Sequence, residues 1–354
     1  MNTAQPEMRI VHCMNAQKFT EPFIDFVDQH FDAKEHRFII REDSKFPIQE
    51  RENVVVVPKV VGRLALFRLY YCEFRQAEKI FLHGLFAKDL VKILALQFWV
   101  LPRCYWVIWG ADLYHYIFRK RSFTANNFER VRAFVIRRMG HLVSYIAGDV
   151  ALARDWYGAE GVAHYCFMYP SNLYKSFPVV DHEVSGDERV VLVGNSADPR
   201  NEHLDTLSRL SRFSGENIRI VAPLSYGRKQ YAEEVIAEGR RLFGEKFEAI
   251  TGFMPLDDYI RLLSSVDIAI FNHRRQQAMG NIISLLGLGK KVYMRSDITP
   301  WRLFADEGIK VFDIEFLDLA PLELGLAERN RKIVADVFSE ENLIRQYKEL
   351  FAPL

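Results

Sequence analysis

Two α/β domains, each a doubly wound parallel sheet with helices on both faces, are what this sequence predicts, and three observations carry the prediction. The chain has 354 residues, more than one such domain needs. Hydrophobic residues make up 49% of it, enough to fill two cores. Short β-branched or aromatic runs alternate with segments of helical spacing along the whole length, which is the signature of strand–helix–strand units.

In the first half the strand-like runs fall at residues 8–14, 37–41, 53–57, 79–82, 105–109, 142–147 and 163–169. The periodic pattern lapses between 170 and 188, where two prolines, serines and charges displace apolar residues, and an interdomain linker is expected there. The alternation then restarts with runs at 189–193, 218–222, 247–251, 267–271, 291–294 and 310–312. The last segment, 339–351, reads as a helix with Ser339 as N-cap and with Asn342, Leu343, Tyr347 and Leu350 partly on one face. The expected division is thus 1–175, 186–338 and a terminal helix, 339–354, packing back on the first domain.

Composition removes several function classes. A formal net charge of +1, from 47 basic and 46 acidic residues, gives no global attraction to nucleic acid, and no nucleic-acid-binding motif is recognisable. The four cysteines, Cys13, Cys72, Cys104 and Cys166, form no CxxC pair or zinc spacing and fit a reducing, cytoplasmic compartment. The first residues lack the charged, apolar and cleavage regions of a signal peptide. The most apolar stretch, 93–109, is broken by Pro102 and Arg103 and falls short of a membrane span, so a soluble or peripheral protein is expected.

Ligands of open α/β sheets bind beyond the carboxyl ends of the strands, where loops and helix N-termini converge. The run VVLVGNSADPRNEH ends a strand on Gly194, Asn195 and Ser196, which can offer amides to a phosphate or a sugar; a plain turn with an Asn N-cap reads it equally well. VAPLSYG places Ser225 and Tyr226 after a strand, where the ring could stack on a base or ribose, or simply form a turn. In IAIFNHRRQQAMGNIISLLGLG an apolar strand runs into His273, Arg274, Arg275, Gln276 and Gln277 and then into a helix containing Gly280 and Asn281. A diphosphate needs positive charge, amide donors and a helix N-terminus in one place, and this stretch supplies all three; a solvated basic helix start is the alternative.

In the first half CYWVIWGADLYHY closes an apolar run on Trp109 and Gly110, with Asp112 following. That carboxylate could take an acceptor hydroxyl's proton or cap the next helix. His83 ends the run IFLHGLF and His12 stands near the end of the first run; lone histidines are more often structural. No Asp-x-Asp motif offers a metal–diphosphate bridge, so neither metal nor other cofactor is expected. Residues 101–140 carry eight arginines and lysines against Asp112 and Glu129, interspersed with Phe118, Phe123, Phe128 and Phe134. This reads either as a surface for anionic lipid or a lipid diphosphate, or as an amphipathic helix with a solvated basic face.

These stretches resemble the family 56 glycosyltransferases. The resemblance is carried by His83-Gly84 with Phe86, by Ile108-Trp109-Gly110-Ala111-Asp112-Leu113-Tyr114, and by Leu192-Val193-Gly194-Asn195-Ser196 with Asp198 and Asn201-Glu202-His203. It continues in Arg275-Gln276-Gln277 with Gly280 and in Arg295 with Pro300-Trp301, in the same order over roughly 79–301. It implies the GT-B fold, two Rossmann-like domains facing a cleft. The implied donor is a dTDP-activated amino-deoxy sugar of the Fuc4NAc kind, and the acceptor a polyprenyl diphosphate-linked saccharide, as in enterobacterial common antigen synthesis. The implied location is peripheral, on the cytoplasmic face of the bacterial inner membrane. His12, His83 and Trp109 would then lie on the acceptor side.

On that resemblance Arg275, Gln276, Gln277 and the Gly280 helix would hold the diphosphate and stabilise its departing charge in place of a metal. Gly194, Asn195 and Ser196 would line the cleft beside the phosphates, Tyr226 would contact the nucleoside, and Asp112 would orient or deprotonate the acceptor. The same framework could serve another nucleotide sugar or acceptor, or a non-catalytic sugar-nucleotide scaffold. An epimerase or dehydrogenase lacks its GxGxxG turn and Tyr-x-x-x-Lys pair.

Overall fold

The computed structural model describes residues 10–120, 122–175 and 188–353. It divides into two compact units, Met1–Asn172 with Glu340–Leu354, and Leu173–Ser339. The first holds a seven-stranded sheet: β1 (Ile10–Asn15), β2 (His36–Arg41), β3 (Val54–Val57), β4 (Lys79–His83), β5 (Cys104–Val107), β6 (His141–Val143) and β7 (Val162–His164). The strands lie in the order β3-β2-β1-β4-β5-β6-β7 and every pair is parallel. The second holds β8 (Arg189–Val193), β9 (Ile218–Pro223), β10 (Phe247–Ile250), β11 (Ile268–Phe271), β12 (Lys291–Met294) and β13 (Phe312–Asp313). Their order is β10-β9-β8-β11-β12-β13, again all parallel.

Each predicted run overlaps one of these strands, with ends differing by a few residues. Central strands such as β4 and β11 are buried along their whole length, because helices cover both faces of a parallel sheet and leave no polar side. The core of the first unit gathers Val11, Ile39, Ile80, Leu82 and Trp106, and that of the second Val191, Val193, Ile220, Ile268 and Ile270. In both sheets the chain order reverses beside the first strand, at β1/β4 and β8/β11, where crossovers leave the sheet on opposite faces and open a crevice.

The chain enters the second unit at Leu173. The Tyr174 amide donates to Phe338 O at 2.9 Å, and its ring lies against Gly287. Most of the expected linker, 176–187, lies outside the described residues. The terminal helix, Glu340–Phe351, belongs to the first unit and buries Leu343, Gln346, Tyr347, Leu350 and Phe351. Lys79, at the start of β4, is buried and its ammonium donates to Leu350 O and Ala352 O, both at 2.6 Å. It thereby satisfies carbonyls that a helix C-terminus otherwise leaves open. Among the described residues no helix is long and apolar enough to cross a membrane.

Candidate functional site

In the second unit three strand-end loops, after β8, β9 and β11, are tied into one network. Asn201 is its hub: its Oδ1 accepts from the Asn195 amide and from His273 Nε2, each at 2.9 Å. That geometry puts the His273 proton on Nε2. Asn201 Nδ2 donates to Asp198 O at 3.0 Å and reaches Ser196 Oγ at 3.3 Å. Asn195 Nδ2 donates to the Tyr226 hydroxyl at 2.9 Å, and Gln277 Nε2 donates to Asn195 Oδ1 at 3.3 Å. The backbone joins the first two loops as well, through Ala197 N to Tyr226 O at 2.7 Å and Arg228 N to Ala197 O at 2.9 Å.

Gly194 is required here twice over. Its φ is +66°, and a Cβ would stand 2.5 Å from His203 Nε2 and 2.8 Å from Asn201 Oδ1. The glycine lets the β8 backbone turn directly over the His203 ring. Both His203 and His273 are buried, and burial lowers their pKa values to about 4 and about 3, so both are neutral at pH 7.

The helix Met279–Gly287 begins at Ala278, which has φ +57° and gives no side-chain cap. A left-handed alanine costs roughly 1–2 kcal/mol, and such strain collects at ligand sites. Gly280 lies in the first turn, and Asn281 Nδ2 donates to the Tyr259 hydroxyl at 2.8 Å. Arg275 is nine-tenths buried; its Nη1 donates to Gln276 O at 2.8 Å and its Nη2 lies 4.0 Å from Asp198 Oδ2. Arg274 is exposed and pairs with Glu202 at 2.9 Å. The two arginines are therefore balanced by two acids of the β8 loop, and the surplus of positive charge read from the run alone is reduced. Ser225 is exposed beside Tyr226 and stands apart from the hydrogen bonds just described.

Buried polar atoms with no hydrogen-bond partner concentrate at this place: both ring nitrogens of His203, Asn272 Oδ1 and Gln277 Oε1. Buried polar groups are normally satisfied, so such a cluster marks either a ligand or its water. Asn201, His203 and His273 stand in the stretches singled out from the sequence, but residue-by-residue reasoning missed that Asn201 joins the loops as their hub, with His273 bonded to it. The signal was the NEH triplet, spaced so that a helix start folds back over the preceding strand end. Among the described residues no three His, Cys, Asp or Glu side chains converge as metal ligands.

The first unit corrects three expectations. Asp112 is 2% exposed and its two oxygens accept four hydrogen bonds: Leu85 N at 2.9 Å and Trp106 Nε1 at 2.7 Å on Oδ2, Trp109 N at 2.8 Å and Leu113 N at 2.9 Å on Oδ1. A carboxylate so committed braces the loops after β4 and β5; it is neither a base facing an acceptor nor the cap of the next helix, which begins after Tyr114. Asp112→Asn would turn an amide NH2 towards two N–H donors, and an expected loss of roughly 2–4 kcal/mol in a urea titration follows. Unchanged stability with lost turnover would instead return the base role to Asp112.

His12 sits in mid-strand and His83 at the end of β4, both sealed in the core, so neither meets an acceptor directly. Trp109, two residues beyond β5, keeps part of its surface exposed. The basic segment 101–140 is thinner than its composition implies. Arg132 is buried, donating to the Tyr157 hydroxyl and Asp112 O, each at 2.6 Å, beside Glu129. Arg103 is half-buried against the carbonyls of Ala77 and Phe74, and Arg121 lies outside the described residues. Lys120, Arg130, Arg137 and Arg138 remain exposed, with Phe118, Phe123 and Phe134 among them; the Arg138 guanidinium lies 4.0 Å from the Phe134 ring centre.

A family model described as 4-alpha-L-fucosyltransferase, glycosyl transferase group 56, matches residues 23–323. It reaches well before the 79–301 stretch that carried the resemblance. Solved structures with the same fold include a glycosyltransferase from Rickettsia africae, 12% identical, with a TM-score of 0.66 over 98% of this chain and 100% of that one. Anabaena HepE in complex with UDP and glucose is 14% identical, with a TM-score of 0.70 over 98% and 100%. Sucrose-phosphate synthase from Thermosynechococcus elongatus is 11% identical, with a TM-score of 0.65 over 97% and 98%. At these identities the likeness is one of fold, that of the two-domain GT-B glycosyltransferases.

Proposed function

We propose that this glycosyltransferase, which belongs to glycosyl transferase group 56, moves an amino-deoxy sugar of the Fuc4NAc kind from a dTDP-activated donor to a polyprenyl diphosphate-linked saccharide. The observation that supports a nucleotide-sugar donor is the β8–β9–β11 loop network, with its unpaired polar atoms on His203, Asn272 and Gln277 beside an uncapped helix start. HepE, of the same fold, has been solved with UDP and glucose.

In this reading the diphosphate lies against Arg275, Gln277, Asn195 and the first turn of Met279–Gly287. The leaving nucleoside diphosphate gains charge as the glycosidic bond breaks, and fixed donors aimed at it lower that barrier without reorganisation. Guanidinium and amide groups do this work, so turnover does not depend on a divalent cation. Tyr226, 53% exposed and held by Asn195, contacts the nucleoside. Arg274, exposed and paired with Glu202, exchanges that acid for a phosphate oxygen, and Gln276 and Ser196 shape the loop around it.

A polyprenyl-linked acceptor resides in a bilayer, and a peripheral enzyme reaches it from the inner face of the cytoplasmic membrane. The exposed Phe123, Arg130, Phe134 and Arg138 fall on one stripe of the helix Phe123–Arg138, which combines apolar insertion with attraction to anionic headgroups. Cosedimentation with anionic vesicles should fall as salt rises and fall further in Arg130→Glu/Arg138→Glu; equal binding to zwitterionic vesicles removes this surface.

The deciding experiment offers purified protein a panel of nucleotide sugars, with and without the lipid-linked saccharide, in buffer containing EDTA or magnesium. The expected result is release of dTDP only when a dTDP-amino-deoxy sugar and the acceptor are both present, and equally in both buffers. Turnover with a UDP-sugar alone retires the donor assignment. Loss of activity in EDTA retires metal independence.

A further inference from the structure

Beyond the carboxyl ends of β1, β4, β5 and β7, four aromatic side chains meet: Phe19, Phe86, Trp109 and Tyr169. The Trp109 ring centre lies 5.1 Å from Tyr169, 5.6 Å from Phe19 and 5.9 Å from Phe86, with planes crossing at 76°, 68° and 83°. Tyr169 is buried, Phe19 and Trp109 are half-buried, and Phe86 is 37% exposed. Phe86 can lie as it does because Gly84, at φ +77°, has no Cβ; one would stand 2.2 Å from that ring.

Trp109 is held at both ends. Its backbone amide donates to Asp112, and its indole Nε1 donates to the Tyr169 hydroxyl at 2.8 Å. Behind Tyr169 a chain of buried rings continues the hydrogen bonding. The hydroxyl meets His83 Nδ1 at 2.6 Å, His83 Nε2 meets His12 Nδ1 at 3.1 Å, and His12 Nε2 meets His36 Nδ1 at 3.0 Å. An indole N–H only donates, and a neutral imidazole has one donor and one acceptor, so the tautomer of one histidine sets the next along the line. His36 Nε2, at the far end, has no partner.

Three neutral imidazoles among Phe23, Phe38, Phe81 and Phe351 are a costly way to fill an apolar core. Phenylalanine would pack there without an unpaired nitrogen. What the polar chain does that phenylalanine cannot is orient the Tyr169 hydroxyl and, through it, the indole. Burial keeps His36 at about 4 and His83 at about 3, so the chain carries no charge at neutral pH and acts as a brace, not as a proton source.

We propose that Trp109, Phe19 and Phe86 form a platform that binds a sugar ring of the acceptor saccharide, and that Tyr169, His83 and His12 are positioning residues that fix the Trp109 indole for it. A pyranose presents a face of C–H bonds with partial positive charge, which is complementary to the negative face of an aromatic ring. The partly exposed rings at strand ends in the first unit offer such faces. This proposal rests on the acceptor being a saccharide.

The test uses the full-length protein and two readouts. In steady-state assays Trp109→Ala is expected to raise the KM for the lipid-linked saccharide by about tenfold or more with the donor KM unchanged. Tyr169→Phe, which keeps the ring and removes only the hydroxyl, is expected to raise acceptor KM by about threefold to tenfold with kcat retained. A loss of packing alone would lower thermal stability without this split. In the second readout, the indole N–H resonance of Trp109, assigned through Trp109→Phe, is followed during titration with a soluble form of the saccharide and, separately, with dTDP. A shift with saccharide and none with dTDP supports the platform even if no donor is found. A shift with dTDP only, or no shift together with wild-type acceptor KM in Trp109→Ala, overturns it. Failure of every donor in the turnover panel, with the saccharide shift intact, sinks the donor reading and leaves the platform standing.

Discussion

Arg275→Ala is expected to lower kcat/KM for the nucleotide-sugar donor by about 10²–10³-fold, the largest effect on activity that any single substitution in the second unit should produce. A guanidinium that contacts a departing diphosphate plays the part of an oxyanion donor, and removing one such donor costs about 3–4 kcal/mol of transition-state stabilisation. At 1.4 kcal/mol per decade that is two to three decades in rate. The side chain is nine-tenths buried and anchored on Gln276 O, so it is already in place before the donor arrives. Stability should fall as well, by roughly 1.5–3 kcal/mol, the scale of a hydrogen bond from a charged group. Arg275→Lys keeps the charge but not the planar fork and should recover part of the loss. Donor kinetics within twofold of the wild type in Arg275→Ala would remove this residue from the phosphate site.

Acidification from pH 7 to pH 5 should destabilise the protein strongly, by about 4 kcal/mol or more in each unit. His36 and His83 in the first unit have pKa values of about 4 and about 3, and His203 and His273 in the second about 4 and about 3, each lowered by burial from 6.5. Between the folded and unfolded values the unfolded chain binds a proton that the native chain does not. Stability therefore rises with pH through this window, is fully present above about 6.5, and is lost as pH falls towards the folded values. At pH 5 each of these four histidines costs about 2 kcal/mol, which makes about 4 kcal/mol in the second unit and more in the first, where burial also lowers His12 and, to about 4, His141. Domains are usually stable by about 5–15 kcal/mol, so this is a large share. Urea midpoints measured at pH 7 and pH 5 check it; equal midpoints would mean that these imidazoles are not neutral and sealed in the folded state.

The strands were legible because a parallel sheet covered on both faces demands continuous apolar runs, and β8 and β11 are written that way. Their ends were less so. The run CYWVIW continues past Val107 because Ile108 and Trp109 pack in the loop, and apolar packing looks alike in a strand and beyond it. The loop residues Asn195, Gln277 and Tyr226 could be singled out because strand ends are where ligands bind, and the fold joins all three.

What stayed hidden depends on partners distant in the chain. A carboxylate after a strand looks the same whether it faces solvent or four N–H groups; three of the donors to Asp112 are local, and the β4 loop supplies the fourth, Leu85 N. His12, His36 and His83 become a chain only once β1 is flanked by β2 and β4. Arg132 reads as one more surface cation until Glu129 and Tyr157 are seen to close around it.

Backbone hydrogen exchange, compared with and without saturating dTDP, addresses the central claim most directly, because a ligand slows exchange of the amides it orders. Added protection is expected in 194–201, 226–228 and 274–281, the loops that converge on Asn195 and Asn201. Protection confined to the first unit, or no change in those three loops when dTDP is bound, would contradict it.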